Sequence, residues 1–403
     1  MEKKVTIRKT TVPVLLGLLA PGLVAAGDWT GYVGGEIRYF QERGDFGQPQ
    51  NQYSVVFEPE YYHEWNDGET SFTFTPFVRG DNLDSERSHG DIRELNWAIH
   101  GDDWDFKAGI SKVFWGVAET QHLVDIINQT DLVENVDQED KLGQPMVNLT
   151  LIRDWGNLSF FVLPWFRERT FPGEDGRLRF AIPVDTDHPV YDDPDEEHHI
   201  DFAARWSQVI GAFDIGIAHF TGTSREPLFV PTVTPDGLVL RPRYTTIDQT
   251  SIDVQATLGA WLWKLEAYSR SGFAEDRYMA AVGGFEYTLF GITDNGGDLG
   301  LLLEYQYDER DNMSGFPILD SWFVGTRLTL NDVESTEILL AYGVNEEDGR
   351  TINLEASRRL SDNWKLLVEA RAFSGVSDDE LLVNPWFSFR NDDYLQITLE
   401  KYF

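Results

Sequence analysis

Between residues 251 and 258 the chain alternates strictly: Ile252, Val254, Ala256 and Leu258 fall on one face, Ser251, Asp253, Gln255 and Thr257 on the other. Only an extended strand, whose successive side chains point to opposite sides, separates them in this way. Beyond Gly259-Ala260, Trp261, Trp263, Leu265 and Ala267 alternate with Lys264, Glu266, Tyr268 and Arg270. The two segments read as a hairpin with hydrocarbon on one side and charge on the other. The same code recurs at Leu299 to Asp308, Ile352 to Arg359 and Trp364 to Arg371. Such segments predict strands at 29–40, 52–65, 70–80, 91–100, 103–113, 145–153, 157–168, 199–207, 212–222, 247–259, 261–271, 278–289, 298–308, 319–330, 336–344, 351–360, 364–374 and 391–403. That is 18 strands, with 16 as the alternative count.

The connections alternate in length. They are short at 66–68, 101–102, 154–156, 259–260 and 361–363, and long at 41–51, 114–144, 169–198 and 223–246. No repeat beyond the hairpin period and no linker divides the chain, so residues 27–403 are expected to form one domain. A water-soluble β-sandwich would carry its charges outside a dry interior. No apolar run long enough for a membrane helix follows Gly27. A barrel wall, apolar toward lipid and polar toward a lumen, satisfies both observations. The expected fold class is therefore all-β: a transmembrane antiparallel up-and-down β-barrel with short periplasmic turns and long extracellular loops. With an even strand number both termini lie on the short-turn side. Trp29, Trp97, Trp104, Trp261, Trp263, Trp322 and Trp364 fall on predicted outward positions near the interfaces, where an amphipathic indole is favoured.

The first residues follow a different rule. Lys3, Lys4, Arg8 and Lys9 precede an apolar run from Val12 to Leu19, and Val24-Ala25-Ala26 supplies small residues for cleavage. This is the pattern of a cleaved signal peptide over residues 1–26. The run is too short to span a bilayer, and Pro13, Gly17, Pro21 and Gly22 interrupt it.

Charge narrows the partners. The 33 basic and 68 acidic side chains become 29 and 67 without residues 1–26, a net charge of −38. Nucleic acid, whose binding needs clustered Lys and Arg, is excluded as a partner. A hydrophobic content of 41% with 13% aromatics is too high for a disordered acidic chain. With no Cys there is no disulfide framework, no Cys-based zinc site and no thiol nucleophile.

In the last segment, Asp393-Tyr394-Leu395-Gln396-Ile397-Thr398-Leu399-Glu400-Lys401-Tyr402-Phe403, apolar residues alternate back from a terminal Phe. Together with the signal peptide and the strand code, the chain from Asp28 to Phe403 resembles Gram-negative outer-membrane porin-like β-barrels. The resemblance implies recognition by the barrel-assembly machinery through Phe403, neighbours of outer-membrane lipid and lipopolysaccharide, small-molecule solutes as cargo, and a homo-oligomer as an open expectation. Lys401 departs from the pattern where the family commonly has an aromatic residue, with Tyr402 shifted by one. The segments from Val113-Phe114-Trp115-Gly116 to Asp131 and from Tyr244 to Arg270 look like an uncharacterised barrel family linked to exporters of the resistance-nodulation-division type.

Function then depends on the lumen, since fold alone does not fix activity. The predicted inward positions carry Arg38, Arg79, Arg167, Arg205, Lys264, Arg270, Arg327, Arg359 and Arg371. They face Glu36, Glu58, Glu60, Asp201, Asp253, Glu266, Glu286, Glu304, Glu337, Glu355 and Glu369. A barrel this wide leaves an aqueous channel unless loops fill it, and rings of charge set ion preference. The expectation is a channel for passive or facilitated passage of small polar solutes, with slight cation preference. The alternatives are charges that pair with one another inside a plugged structural barrel, or a component of an envelope lipid or hydrophobe transport or export system. The last would use an inward arc of Phe161, Leu163, Trp165, Phe220 and Phe323.

The connection from Phe114 to Leu142 is too apolar for a solvated loop. Leu123, Ile126 and Ile127 recur at helical spacing, beside Val124, Leu132 and Val133, while Glu119, Asp125, Asn128, Asp131 and Glu134 supply a polar face. It is expected to fold inward, place a short helix on the lumen wall, and narrow the pore with Asp125, Asn128 and Asp131 toward the channel. The competing picture is an external lid. The run from Asp192 to His199 lacks the spacing of a calcium loop and reads as a solvated acidic loop, with loosely bound Ca or Mg as the alternative. No cofactor, dedicated metal site or catalytic residue is expected: there is no Gly-x-Ser-x-Gly or His-Glu-x-x-His motif, and a hydrolase would need a wall His such as His219 beside a Ser and a carboxylate.

Overall fold

The computed structural model describes residues 27–235, 237–273, 276–310, 320–346, 349–375 and 388–403; the expected signal peptide lies outside the described residues. The first strands are β1 (Asp28–Phe40), β2 (Asn51–Trp65), β3 (Thr70–Asp81), β4 (Gly90–His100), β5 (Trp104–Ser111), β6 (Gln144–Arg153) and β7 (Gly156–Leu163). After a two-residue strand β8 (Val190–Tyr191) come β9 (Asp201–Ile210), β10 (Phe213–Thr223), β11 (Leu228–Thr234) and β12 (Gly237–Tyr244). Next are β13 (Thr246–Leu258), β14 (Trp261–Ser271), β15 (Tyr278–Leu289), β16 (Asp298–Asp308) and β17 (Ser321–Thr329). The chain ends with β18 (Glu337–Asn345), β19 (Arg350–Ser361), β20 (Trp364–Ser374) and β21 (Tyr394–Tyr402).

Eighteen of these strands form one antiparallel sheet in which each pairs with the next, and β1 pairs with both β2 and β21. Tyr32 lies opposite Glu58 on one side and Tyr402 on the other, so the sheet closes on itself. Closure removes the edges that an open sheet would expose, and every wall strand finds backbone partners on both sides, as a bilayer demands. The three strands outside the wall, β8, β11 and β12, make a small separate sheet in the long loops. All the wall strands lie where the alternation predicts them, and the connections 66–69, 154–155, 259–260 and 362–363 are short on the side of the termini.

One strand ends early. The alternation predicts continuation to residue 168, but β7 stops at Leu163, because Pro164 has no N–H to offer the ladder. Arg167, expected on the inner wall, sits instead in the following connection and pairs with Asp91 at 2.9 Å.

The burial pattern inverts that of a soluble protein. Along β1, Val33, Ile37 and Tyr39 are exposed while Glu36, Arg38 and Phe40 are buried. Exposed Val55, Ile217, Leu265, Val324, Ile352 and Ile397 continue an apolar belt around the wall. All seven Trp residues expected at the interfaces are exposed. In water this belt would be a very large apolar patch; against acyl chains it is the required surface.

The interior is filled unevenly. The connection between β5 and β6 folds into the lumen and packs Trp115, Val124 and Ile127 against Phe161, Leu163, Ala218, Phe220 and Val282 of the wall. This dry core lies along β6 to β15. The expected helix is absent: residues 114–142 form turns and isolated bridges, with the Val124 amide bonded to a wall carboxylate and the Asp125 amide to the His122 carbonyl.

Candidate channel and its latched loop

Glu266 on β14 points inward and is fully buried. Its carboxylate accepts the backbone N–H groups of Val117 at 2.6 Å, Ala118 at 2.8 Å and Val124 at 3.2 Å. Two strands along, Glu304 on β16 accepts from Glu119 N–H at 2.8 Å, Thr120 N–H at 3.0 Å and the Thr120 hydroxyl at 2.7 Å. Four consecutive loop amides are thereby bonded to two wall carboxylates, which are stronger acceptors than a helical carbonyl. Gly116 begins the turn at φ +144°, and a Cβ there would come within 2.9 Å of Glu266 Oε1. His122 follows, hydrogen-bonded to Glu139 at 3.0 Å. Burial alone would lower its pKa, but Glu139 and the nearby Glu266 outweigh burial and push the imidazole up to about 10.

Arginines hold the far half of the loop. Arg79 makes a forked contact with Glu134, down to 2.6 Å, and Arg87 donates to the carbonyls of Val133 at 2.9 Å and Glu134 at 3.2 Å. Arg93 binds Asp131 at 2.7 Å. Arg371 binds Asp137 at 2.8 Å, and Asn135 donates to Glu369 on β20. His89, Asp131 and Glu134 lie close enough to resemble a metal site, yet Arg79 and Arg93 already neutralise the carboxylates and would repel a cation. The grouping is an ion-pair network.

None of the three loop residues expected to face the channel borders the two larger lumen cavities, although Asp125 and Asn128 border a separate one of about 100 Å³. Asp125 is buried, accepts the Trp115 N–H at 3.3 Å and sits 3.4 Å from Lys141. Asn128 splices the loop to the strands: its amide donates to Ser111 and Leu142 carbonyls and its oxygen accepts the Val113 N–H at 2.8 Å. Asp131 is spent on Arg93 and Thr170; against the penalty of burial, His89 and Arg93 hold its carboxyl well below the usual range. A residue with this many internal partners has nothing left to offer a solute.

The wall residues divide similarly. Arg205 pairs with Asp253 at 2.6 Å under Trp115, and buried Arg270 is bonded to Gln249 and Glu226. Both point inward but lie behind the loop. Arg38 is buried against Tyr394 and Gln396, and Glu60 accepts from Thr75. Arg359 is exposed close to the turn side of β19. His219 is exposed on the outer face, with Thr250 at 2.9 Å and Asp248 at 3.2 Å, so it does not complete a lumen catalytic set. In the acidic run, Asp192 is taken by Arg243 at 2.7 Å and His199 by Asp201 at 2.8 Å.

Among the described residues the two cavities that meet inside the lumen lie along β16 to β21 and, on the turn side, β1 to β4. On the long-loop side a cavity of about 510 Å³ is bounded by Phe323, Thr351, Asn353, Arg371 and Phe373. On the turn side a cavity of about 550 Å³ is bounded by Tyr32, Glu58, Arg79, Arg327, Lys365 and Glu369. The two share Glu119, Asp137, Leu339 and Glu355, which form a neck between loop and wall. Around it Lys264 binds Glu119 at 3.3 Å. Arg327 lies 2.5 Å from Glu119, 3.7 Å from Glu286 and 2.8 Å from Glu337. Arg371 lies 2.8 Å from Asp137, 3.3 Å from Glu355 and 2.8 Å from Glu369. Six carboxylates thus share three cations. Alternation identified most of these, but not Glu119 and Asp137, which the loop brings in, nor Arg87, which reaches inward from a connection. Nor did it identify Arg93, which shares the parity of outward Trp97 and is turned inward by the register shift opposite Thr75 and Pro76.

Closed wall, lipid-facing belt and polar lumen together define a membrane-spanning 18-stranded β-barrel of porin-like architecture, narrowed by an inward loop. No protein-family model matches the chain, and no curated protein matches it. Among solved structures it is similar to a triple mutant of the Rhodopseudomonas blastica porin, at 11% identity and a TM-score of 0.44 over 94% of this chain and 100% of that one. A loop L8 deletion mutant of OmpT, an outer membrane protein of Vibrio cholerae, is similar at 10% identity and a TM-score of 0.47 over 94% and 99%.

Proposed function

We propose that this barrel is a bacterial outer-membrane channel through which small polar solutes pass passively or with facilitation, with modest cation preference. The observation that supports it best is the pair of cavities meeting at a charged neck, on the side of the lumen that the loop leaves free. Solutes would pass between the inner loop and the wall, along β16 to β21 on the long-loop side and beside β1 to β4 as well on the turn side. Three cations against six carboxylates leave the neck acidic, and such a ring favours cations. In this reading Phe403 presents the last strand to the barrel-assembly machinery, and lipopolysaccharide and phospholipid surround the wall. The lipid-conduit alternative has less support, since Phe161, Leu163 and Phe220 of the apolar arc are buried beneath the loop and Trp165 lies in a connection.

Purified barrel in a planar bilayer should give ohmic single-channel steps and a reversal potential displaced toward the cation, and should let small sugars swell liposomes. An inserted, heat-modifiable protein that is silent in both assays would overturn the channel.

A further inference from the structure

The two halves of the passage differ in chemistry. The turn-side cavity is lined almost wholly by charged and polar groups. The long-loop cavity instead carries an apolar arc in which Phe180 and Phe323 are part-exposed and Leu178, Phe373 and Phe389 are buried behind them in a small core, and it leads directly to the acidic neck. The arc is assembled from two wall strands, β17 and β20, and from separate connections, with Phe373 and Phe389 rings 5.6 Å apart. Phe180 is braced from behind by Phe229 at 5.2 Å and Phe171 at 6.3 Å.

A fully hydrated inorganic ion or a sugar gains little from such an arc. A solute with an apolar body and a cationic head meets matched surfaces for both: rings that bury its body and attract a cation through their faces, and carboxylates within the same cavity. Glu355 is the exposed member of the neck, half-exposed to the cavity, and it shares its one guanidinium, Arg371, with Asp137 and Glu369. Its charge is thus the least neutralised. Around this cavity Glu119, Asp137, Glu139 and Glu355 stand against His122, Arg179 and Arg371, an excess of one carboxylate that disfavours an anion with the same body.

Resting on the channel reading, we propose that the long-loop cavity is a binding subsite for organic cations bearing an aromatic or branched apolar group. The head lies toward Glu355 and the body against Phe323 and Phe180.

Three probes separate the contributions: benzyltrimethylammonium, tetramethylammonium and benzenesulfonate. Binding to folded, detergent-solubilised barrel is measured by titration calorimetry, and block of KCl current by the same probes is measured in a planar bilayer. Benzyltrimethylammonium should bind and block at least about tenfold more tightly than either of the others. Phe323→Ser should remove its advantage over tetramethylammonium, and Glu355→Gln its advantage over benzenesulfonate, each variant being compared with its own current and its own folded, heat-modifiable form. Equal binding of the three probes, or an unchanged ranking in both variants, overturns the subsite while ohmic current keeps the channel. Selective binding without any current keeps the subsite and overturns the channel.

Discussion

Replacing Glu266 by Ala removes the acceptor for three buried amides, those of Val117, Ala118 and Val124, at 2.6, 2.8 and 3.2 Å. A hydrogen bond to a charged group contributes about 1.5–3 kcal/mol, so three contribute on the order of 4–9 kcal/mol. Water entering from the lumen can satisfy part of what is lost, which favours the lower end. About 4 kcal/mol corresponds to roughly a thousandfold in the ratio of docked to undocked loop. The remaining anchors, Glu304 with Lys264 and Arg327 at Glu119 and Thr120 and the arginines near Glu134, stay in place, so residues 116–118 and 121–124 should come loose on either side of Glu119 and Thr120 without the barrel failing. Single-channel recording of Glu266→Ala should then show flicker between the wild-type level and one severalfold higher. Excision of residues 117–138 with a short Gly/Ser bridge should give the higher level steadily. Glu266→Gln, which keeps one acceptor oxygen but turns an amide donor toward the loop N–H groups, should fall between. Wild-type conductance and noise in a correctly inserted Glu266→Ala barrel would refute the latch.

Ile397→Arg and Leu399→Arg place a cation on the exposed face of β21, at a cost of about 2–4 kcal/mol near the bilayer midplane; both variants should show reduced membrane levels, and normal levels would overturn the register. Arg327→Ala should unmask Glu119, Glu286 and Glu337 and move the reversal potential further toward cations, by an amount that shrinks as salt rises. Arg205→Glu and Arg270→Glu, which lie behind the loop, should move it far less; a larger shift from either would relocate the passage. His122 carries a pKa raised from 6.5 to about 10 in the folded protein, so its ion pair with Glu139 stabilises the docked loop fully below pH 6.5, and that contribution is lost as pH rises through about 10. Channel noise should increase over that window in the wild type and be insensitive to pH in His122→Gln.

The wall was legible because lipid outside and water inside impose a period of two on every strand, and residues such as Leu265 and Glu266 obey it without exception. The same period showed that Lys264, Arg327 and Glu355 point inward. It could not show which inward charges meet solute and which meet protein. That depends on partners far along the chain, as when Glu119 reaches Lys264 and Glu304. The helix expected at Leu123 to Ile127 failed for a related reason: apolar spacing describes which side chains want burial, but the amides at 117–120 and 124 are bonded to wall carboxylates that local sequence does not contain. Arg167 was misplaced for a local reason that was visible, the missing donor at Pro164.

The anchors of the inner loop have a consequence for the order of assembly. The carboxylates that hold the amides of residues 117–120 and 124 lie on β14 and β16, Arg327 on β17 holds Glu119, and Arg371 on β20 holds Asp137. The loop is synthesised and exported well before any of them. Until those strands join the wall, Leu123, Ile126 and Ile127 have no complete surface to cover, and closing contacts over so long a stretch of chain is entropically slow. Docking of residues 117–124 therefore follows the arrival of β14 and β16, so that a barrel stalled before β14 would still have an unnarrowed bore and an apolar loop without the wall it covers.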